Sequence, residues 1–233
     1  MDYKNLKIIG TNHIAKQSID EVKKTILEWK PEIVCIELDK DRYRAMMSKQ
    51  KRRMRISDIR AIGLKGFFFA LLGQWAEEKM GKIVGVKPGE EMKTAARLAK
   101  QEKLQLEFID QHIQITLKRF SATLSWKEKW RFVVDVVKGL FGAKHEFNFD
   151  VRKVPPEELI NKLIGKVKQR YPNVYNVLIH ERNVYMANKL VRLMKKNEDK
   201  KIVAVVGAGH EEGMIELIKE KINQVDISYS VSY

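Results

Sequence analysis

The chain has little cysteine, and this limits the cellular compartments in which the protein is expected to function. Cys35 is the single cysteine among 233 residues, so no disulfide can form within the chain. It lies in an apolar run, as expected for a thiol kept inside a strand in a reducing compartment. Residues 1–7 are polar and charged where a secretory signal would be apolar. We therefore expect a cytoplasmic protein.

Long hydrophobic runs are also missing. The longest apolar patch, Ala61–Trp75, is interrupted by Lys65 and by three glycines. A membrane-crossing helix needs about 20 predominantly apolar residues, so this patch is too short to span a bilayer. A buried helix, the interface of a homo-dimer and a membrane-surface anchor all remain open for it.

Acidic residues are scarce relative to basic ones. The chain has 45 Lys and Arg against 30 Asp and Glu, which gives a formal net charge of +15. Between Lys40 and Arg60 nine basic side chains face two acidic ones, a local balance of +7. Such a segment attracts a small acidic substrate or the anionic surface of a membrane, or it is simply a solvated helix face. The aromatic and basic motifs of the known RNA-binding modules are absent, which argues against nucleic acid as a partner.

What is present indicates a folded α/β protein. Hydrophobic residues make up 44% of the chain, as in globular proteins. Short apolar runs without polar alternation are typical of strands in a parallel sheet covered by helices on both faces. Glu32–Leu38 contains such a run at Ile33–Ile36, and further strands are predicted at Leu6–Ile9, Leu104–Ile109 and Lys201–Val206, with a last strand at Val225–Val231.

Helical patterns fill the segments between these strands. Ser18 and Glu21 have the spacing of a capping box, followed by an apolar stripe that ends at Pro31. The residues from about 113 to 196 are largely helical in pattern and predict an inserted helical layer. With no repeat or convincing linker, residues 1–233 are interpreted as a single α/β domain with a mainly parallel sheet.

Three polar residues are predicted to lie at the same edge of the sheet. His13 follows the first strand, Glu37 ends the second, and His210 follows the strand that ends at Val206. Ligands of open parallel sheets bind outside the carboxyl ends of the strands, so these side chains are expected to meet there. Both histidines stand in Gly-x-x-His tetrads, Gly10–His13 and Gly207–His210. The glycine permits a sharp turn at the end of each strand.

Two neutral imidazoles and a carboxylate are suitable ligands for a divalent transition metal that keeps an open position for water. Arg42 comes five residues after Glu37, where it could hold an oxyanion or pair with Glu37. Arg119, Glu181 and Arg182 lie on predicted helices, where buried ion pairing is as good an explanation as function. A histidine after a strand can equally be a cap or a packing residue.

These residues carry a resemblance to a known family. The chain resembles the TraB/PrgY family, which is related to the wider TIKI and GumN-like hydrolase superfamily, through Gly10–His13, Glu37 with Arg42, and Gly207–His210. Further similarity lies in Lys87–Glu90, Thr116–Arg119 and Glu181–Asn183. The resemblance therefore covers nearly the whole chain.

The resemblance implies a metal-dependent hydrolase, with a peptidase as one form of it. Carried onto this sequence, the catalytic residues are His13, Glu37, Arg42 and His210, of which His13, Glu37 and His210 would bind Mn, Co or Zn. Pheromone shutdown in the family makes a peptide one candidate substrate. The substrate-binding or site-supporting residues are then Gly10, Thr11, Asn12, Asp110, Arg119, Glu181, Arg182, Gly207 and Gly209.

The chain departs from the family in two ways. It has Asp110, Gln111 and His112 after the third strand, where an Asp-Arg-Pro-like sequence is expected, which supplies a spare histidine. Many relatives continue into carboxyl-terminal membrane helices, so this chain could also be the cytosolic part of a membrane-associated protein. A non-catalytic module that holds a peptide or an anion in the same crevice is the alternative to the hydrolase.

Overall fold

A five-stranded sheet is the centre of the molecule. The structure, a computed structural model, describes residues 1–11, 16–48, 89–128, 130, 131, 134, 135 and 157–230. The strands are β1 (Asp2–Tyr3), β2 (Leu6–Thr11), β3 (Ile33–Ile36), β4 (Gln105–Phe108) and β5 (Ile202–Gly207). Their order across the sheet is β1-β2-β5-β3-β4, and every pair is parallel except the β1–β2 pair at one edge. The α/β fold with a mainly parallel sheet is thus confirmed.

The register aligns the carboxyl ends of the central strands. Thr11 of β2 pairs with Gly207 of β5, and Ile36 of β3 pairs with Val205 of β5 and with Phe108 of β4. Every residue of β3 and β5 is buried, which explains why these strands are continuous apolar runs. The carboxyl ends of β2, β3, β4 and β5 therefore lie at one edge of the sheet.

Two helices cover one face of the sheet. They are α1 (Lys16–Trp29) and α3 (Glu90–Gln101). Side chains at helical spacing, Val22 with Ile26 and Met92 with Ala96, pack with Val34 and other residues of the strands. The short helix α2 (Lys40–Met47) follows β3 and is capped by Asp39, whose side chain accepts the backbone N–H groups of Asp41 and Arg42.

Two long helices cover the opposite face. They are α7 (Glu181–Lys196) and α8 (Ala208–Ser230). Their buried side chains pack against the alternate residues of β2, β3 and β5; the helix residues include Met186, Leu190, Met194, Met214 and Ile218. A large apolar area is removed from water on both faces, which is the main stabilisation of the fold.

A smaller group of helices lies between β4 and α7. It contains α4 (Ile113–Thr123), α5 (Glu157–Arg170), α6 (Pro172–Tyr175) and a π-helix at Asn176–His180 that runs directly into α7. Phe120, Leu124 and Val177 form its small buried core. The described residues between 113 and 196 are therefore mostly helical, and α7 packs on the sheet itself.

Two predictions about elements are wrong. The predicted last strand at Val225–Val231 begins inside α8, whose helical backbone runs on to Ser230. Ile218 and Ile222 are buried one helical turn apart, and no Gly or Pro between them and Ser230 ends the helix. Ser18 is buried inside α1, which spans Lys16–Trp29, and so it does not cap this helix.

The predictions made for Ala61–Trp75 lie outside the described residues. In the part of the chain that the structure describes, no helix has both the length and the apolar character needed to cross a membrane.

Candidate functional site

Glu37 lies at the carboxyl edge of the sheet, directly after β3. Its backbone N–H still donates to Val205 O, 3.0 Å away, so the strand geometry fixes the direction of its side chain. The carboxylate is buried, and its Oε2 accepts the backbone N–H of Gly207 at 2.6 Å. Gly207 immediately precedes α8, so the positive end of that helix stabilises the negative charge of Glu37.

Arg182 is the hub of the site. It lies in the first turn of α7, and its guanidinium donates to Glu37 Oε1. The same group forms a fork with Asp110, with 3.1 Å from Nε to Oδ1 and 2.7 Å from Nη2 to Oδ2. Its Nη1 lies 3.0 Å from His210 Nε2 and also donates to Leu178 O at 3.2 Å. One largely buried cation thus joins residues that follow three different strands.

The charge on Arg182 is fixed by its neighbours. Burial alone lowers the pKa of a guanidinium, but the attraction of Glu37 and Asp110 outweighs it and raises the pKa of Arg182 above its ordinary value. Arg182 is therefore permanently charged. Replacing either acid would remove one of the two carboxylates that balance this positive charge in a site from which water is largely excluded.

Asp110 brings a second arginine to the edge of the site. It follows β4, is buried, and also accepts the backbone N–H of Gln111 at 2.8 Å. Arg42 of α2 donates to Asp110 Oδ2 at 3.2 Å, with 38% of its side chain exposed. Arg42 therefore pairs with Asp110, and Arg182 is the arginine that pairs with Glu37.

The orientation of His210 is set from behind its ring. His210 lies in the first turn of α8 and is buried, with its Nδ1 2.6 Å from Asn183 Oδ1. An amide oxygen only accepts, so Nδ1 carries the proton. In the neutral ring the lone pair of Nε2 then faces Arg182 Nη1, and Nε2 lies 3.3 Å from Glu37 Oε1. The predicted meeting of Glu37 and His210 is present in this structure.

The remaining predicted residues take supporting or separate places. Thr11 ends β2, and its buried hydroxyl donates to Val206 O at 3.0 Å, which ties the two strand ends together. A Cβ on Gly10 would lie 3.2 Å from the Cα of Ala208, so the glycine allows α8 to approach β2 closely. Gly209 lies in the first turn of α8. Asn12 and His13 lie outside the described residues.

Arg119 and Glu181 pair away from this centre. Arg119 Nη2 lies 2.5 Å from Glu181 Oε1, and half of the Arg119 side chain is exposed. Asn176 also donates to Glu181 Oε1, at 3.2 Å. This pair links α4 to the start of α7 and supports the helix that carries Arg182.

A second polar cluster lies beside the first at the same sheet edge. Asp39, Asp41 and His112 each place one ligand atom within 4.8 Å of the others, so these three residues could hold a metal ion. His112 Nε2 lies 2.9 Å from Asp41 Oδ2. That hydrogen bond, helped by the attraction of His112 and Arg44, lowers the pKa of Asp41 below its ordinary value.

Sequence reasoning missed Asp39, Asp41 and the role of Asn183. Asp39 had a usable signal, because an Asp between a strand and a helix is a strong N-cap pattern. His112 was noted only as a spare histidine. The contact between Asn183 and His210 has no local signal, since 27 residues separate them in the chain.

Comparison with known proteins gives a consistent picture. The sequence profile of the TraB/PrgY/gumN family matches residues 2–225. The chain is 32% identical over 232 residues to the uncharacterized protein MJ1365 of Methanocaldococcus jannaschii, which covers 96% of this chain and 55% of the relative. It is 25% identical over 240 residues to the TraB domain-containing protein of Mus musculus and 23% identical over 239 residues to that of Homo sapiens.

The matched region is only part of each relative. Both mammalian alignments cover 91% of this chain and 62% of the relative. The chain thus spans between half and two thirds of the length of these proteins.

Proposed function

The chain belongs to the TraB/PrgY/gumN family, and from this premise we propose that it is a divalent-metal-dependent hydrolase of peptides, centred on Glu37 and His210. His13 would complete the ligand set. Mn, Co or Zn are the ions that suit such a mixture of imidazole and carboxylate donors.

The observation that carries the proposal is the pairing of Glu37 with His210. Two ligands bonded at about 2.0–2.2 Å to one ion lie about 3 Å apart, and Glu37 Oε1 lies 3.3 Å from His210 Nε2. Asn183 holds the proton on Nδ1 of His210, which is how metal-binding histidines are usually oriented. A positively charged group, the Arg182 guanidinium, already contacts both atoms. The donor set therefore fits a cation.

A divalent ion bound there would lower the pKa of a bound water to about 7 and so supply a nucleophile at neutral pH. Glu37 would then act as a ligand or accept the proton of that water. Because Glu37 is buried and aimed by the Gly207 N–H, it needs no reorientation to do so.

The arginines have a separate task in this proposal. To make room for the ion, Arg182 would give up its contacts with Glu37 and His210 and keep its fork with Asp110. Arg42, with one contact to Asp110 and a partly exposed side chain, can turn its remaining N–H groups toward solvent. There it would stabilise the negative charge that develops on a peptide carbonyl oxygen, or bind an acidic group of the substrate.

The second candidate function is a binding module without catalysis. Arg182 satisfies Glu37 and His210 without any ion, and this favours a site in which the three groups form a fixed support. Arg42 would then hold a carboxylate of a peptide, as Arg does in recognition of carboxylates.

Turnover and metal content separate the two functions. Protein purified without a metal-affinity tag is analysed for bound metal and assayed against a peptide library with Mn, Co or Zn. For a hydrolase we expect turnover that Glu37→Gln lowers by about 100-fold or more, the size of a general-base contribution. Glu28→Gln, an exposed position on α1, is the matched control and keeps full turnover.

Unchanged turnover in Glu37→Gln would overturn the role of Glu37. Absent metal together with absent turnover would favour the binding module. In that case peptide binding that is lost in Arg42→Gln and kept in Arg97→Gln, an exposed arginine of α3, identifies the recognition residue.

A further inference from the structure

The cluster of Asp39, Asp41 and His112 combines three possible metal ligands with a buried carboxylate oxygen that has no hydrogen-bond partner among the described residues. We propose that it is a second divalent transition-metal site, separate from Glu37 and His210, and that its ion fastens α2 to the segment after β4. The proposal does not depend on the hydrolase function.

The cluster is assembled by the sheet. Asp39 follows β3 and caps α2, Asp41 lies in the first turn of α2, and His112 lies between β4 and α4. Because β3 and β4 are neighbouring parallel strands, the segments that follow them meet at one edge. The three ligand atoms consequently lie within 4.8 Å of one another although 71 residues separate Asp41 from His112.

One carboxylate oxygen of Asp39 lacks a hydrogen-bond partner among the described residues, and this is a second observation in support of a bound ion. Asp39 is only 6% exposed, and its Oδ1 accepts the N–H groups of Asp41 and Arg42. Its Oδ2 is buried and has no hydrogen-bond partner among the described residues. A buried carboxylate oxygen without a partner is costly, and an ion is one of the few groups that can satisfy it.

The donors indicate the class of ion. Two carboxylate oxygens and an imidazole nitrogen suit Mn, Co or Zn, whereas Ca and Mg sites are built from oxygen alone. His112 Nε2 and Asp41 Oδ2 are 2.9 Å apart. Ligands bonded to one ion at about 2.0–2.2 Å and at right angles have about this separation.

Binding an ion has a definite consequence for the proton of His112. Nδ1 accepts the backbone N–H of Gln114 at 3.3 Å, so in the neutral ring Nε2 carries the proton and donates it to Asp41. An ion on Nε2 requires that proton to move to Nδ1, which then cannot accept from Gln114. The contact given up is a long and weak one, while the ion gains a nitrogen ligand.

The ion would also fix the neighbouring arginine. Arg42 follows Asp41 in α2, and Asp110 precedes His112 by two residues. A bond across the two segments would hold Arg42 against Asp110, and through Asp110 it would support the fork with Arg182. The second site is thus placed to position the arginines of the first.

Titration with Co²⁺ tests the site through its visible absorption bands, using metal-free protein without an affinity tag. We expect Asp41→Asn and His112→Asn to weaken binding of one ion by about tenfold or more. Asp39→Asn keeps the cap of α2 and should have the same effect. Asp20→Asn, an exposed acid on α1, is the charge-matched control and should leave binding unchanged.

Nuclear magnetic resonance spectroscopy of the wild-type chain is a second test of the metal site. Addition of diamagnetic Zn²⁺ should shift the ring nitrogens of His112 to the Nδ1-protonated form and change the amide resonance of Gln114. An ion whose binding is lost in Glu37→Gln but kept in Asp41→Asn and His112→Asn would overturn this site and leave the proposed function standing. Loss in Asp41→Asn and His112→Asn with retention in Glu37→Gln supports it.

Discussion

Arg182 shows how a single, largely buried side chain can organise a whole site. It contacts Glu37, Asp110 and His210, which follow three different strands, and 14% of its side chain is exposed. Such an arginine is a structural cross-link, and in the proposed hydrolase it lies where the metal ion would bind. The stability of the site and its chemistry are therefore linked in one residue.

Removing the Arg182 charge is expected to destabilise the fold strongly. Arg182→Met leaves the buried Glu37 without its arginine and Asp110 with Arg42 alone, and breaking a buried ion pair in this way costs about 3–5 kcal/mol. Arg182→Lys keeps the charge but loses the fork, so its free energy of unfolding should lie between those of the wild-type protein and Arg182→Met. Urea unfolding followed by circular dichroism measures both changes.

The control for this prediction is Arg97→Gln, which removes an exposed ion pair of α3. It should change the free energy of unfolding by about 0.5 kcal/mol or less, as surface substitutions usually do. A loss below about 1 kcal/mol in Arg182→Met would mean that the two acids find other partners or take up protons.

Helix packing sets the orientation of His210 at the scale of elements. Asn183 on α7 holds the ring of His210 on α8, and Gly213 leaves room for Asn183 between the two helices. A Cβ at Gly213 would lie 2.6 Å from Asn183 Nδ2, which is closer than any ordinary contact. The small residue at 213 is therefore part of the support of the site.

Gly213→Ala is expected to disturb His210 without touching it. Asn183 must move, so the proton on Nδ1 of His210 loses its acceptor, and crowding in a packed interface costs about 1–3 kcal/mol. Nitrogen resonances of the ring, urea unfolding and peptide turnover measure the three effects.

Gly165→Ala is the matched control within α5, because a Cβ there meets nothing within 4 Å. Alanine should stabilise the helix by about 0.5–1 kcal/mol there. An unaltered His210 spectrum in Gly213→Ala would show that Asn183 does not set the protonation of the ring.

The elements were predictable where burial alone determines them. The strands β2, β3, β4 and β5 lie within two residues of their predicted bounds. β3 and β5 are buried along their whole length and leave a continuous apolar signal, whereas the partly exposed edge strand β4 alternates polar and apolar residues. The predicted strand at Val225–Val231 was wrong, since β-branched residues followed a helix that nothing in the sequence ends.

The site was predictable only as far as strand topology reaches. Glu37 and His210 meet because both follow parallel strands, which a sequence reader can infer. The central place of Arg182 depends on how α7 crosses the sheet, and the cluster at Asp39 depends on which strands are neighbours. The local sequence predicts neither of these two arrangements. The contribution of His13 stays a prediction.

At the scale of the whole molecule, charge is the dominant feature. A formal net charge of +15 acts over about 8–10 Å at physiological ionic strength. Trp126 and Trp130, 81% and 72% exposed, offer apolar contacts that charge alone does not supply. A homo-dimer interface and an attachment to an anionic membrane surface both remain proposals.

Vesicle sedimentation tests the membrane proposal. We expect the protein to sediment with vesicles containing about 30% phosphatidylserine at 50 mM salt and to be released at about 300 mM, since screening weakens the attraction. Neutral phosphatidylcholine vesicles are the control. Equal binding to both kinds of vesicle would contradict an electrostatic cause, and light scattering of the free protein reports whether it forms a dimer.

The π-helix at Asn176–His180 has a consequence for how such a site can arise or disappear. A turn of this kind holds one residue more than an α-helical turn, so the helix after it is rotated by about 100° relative to an unbroken α-helix. Deleting one residue from this turn would rotate Arg182 and the buried face of α7, which packs on the sheet, by this angle relative to the helices before the turn. A single codon lost or gained there would therefore disturb the crevice and the packing of α7 together.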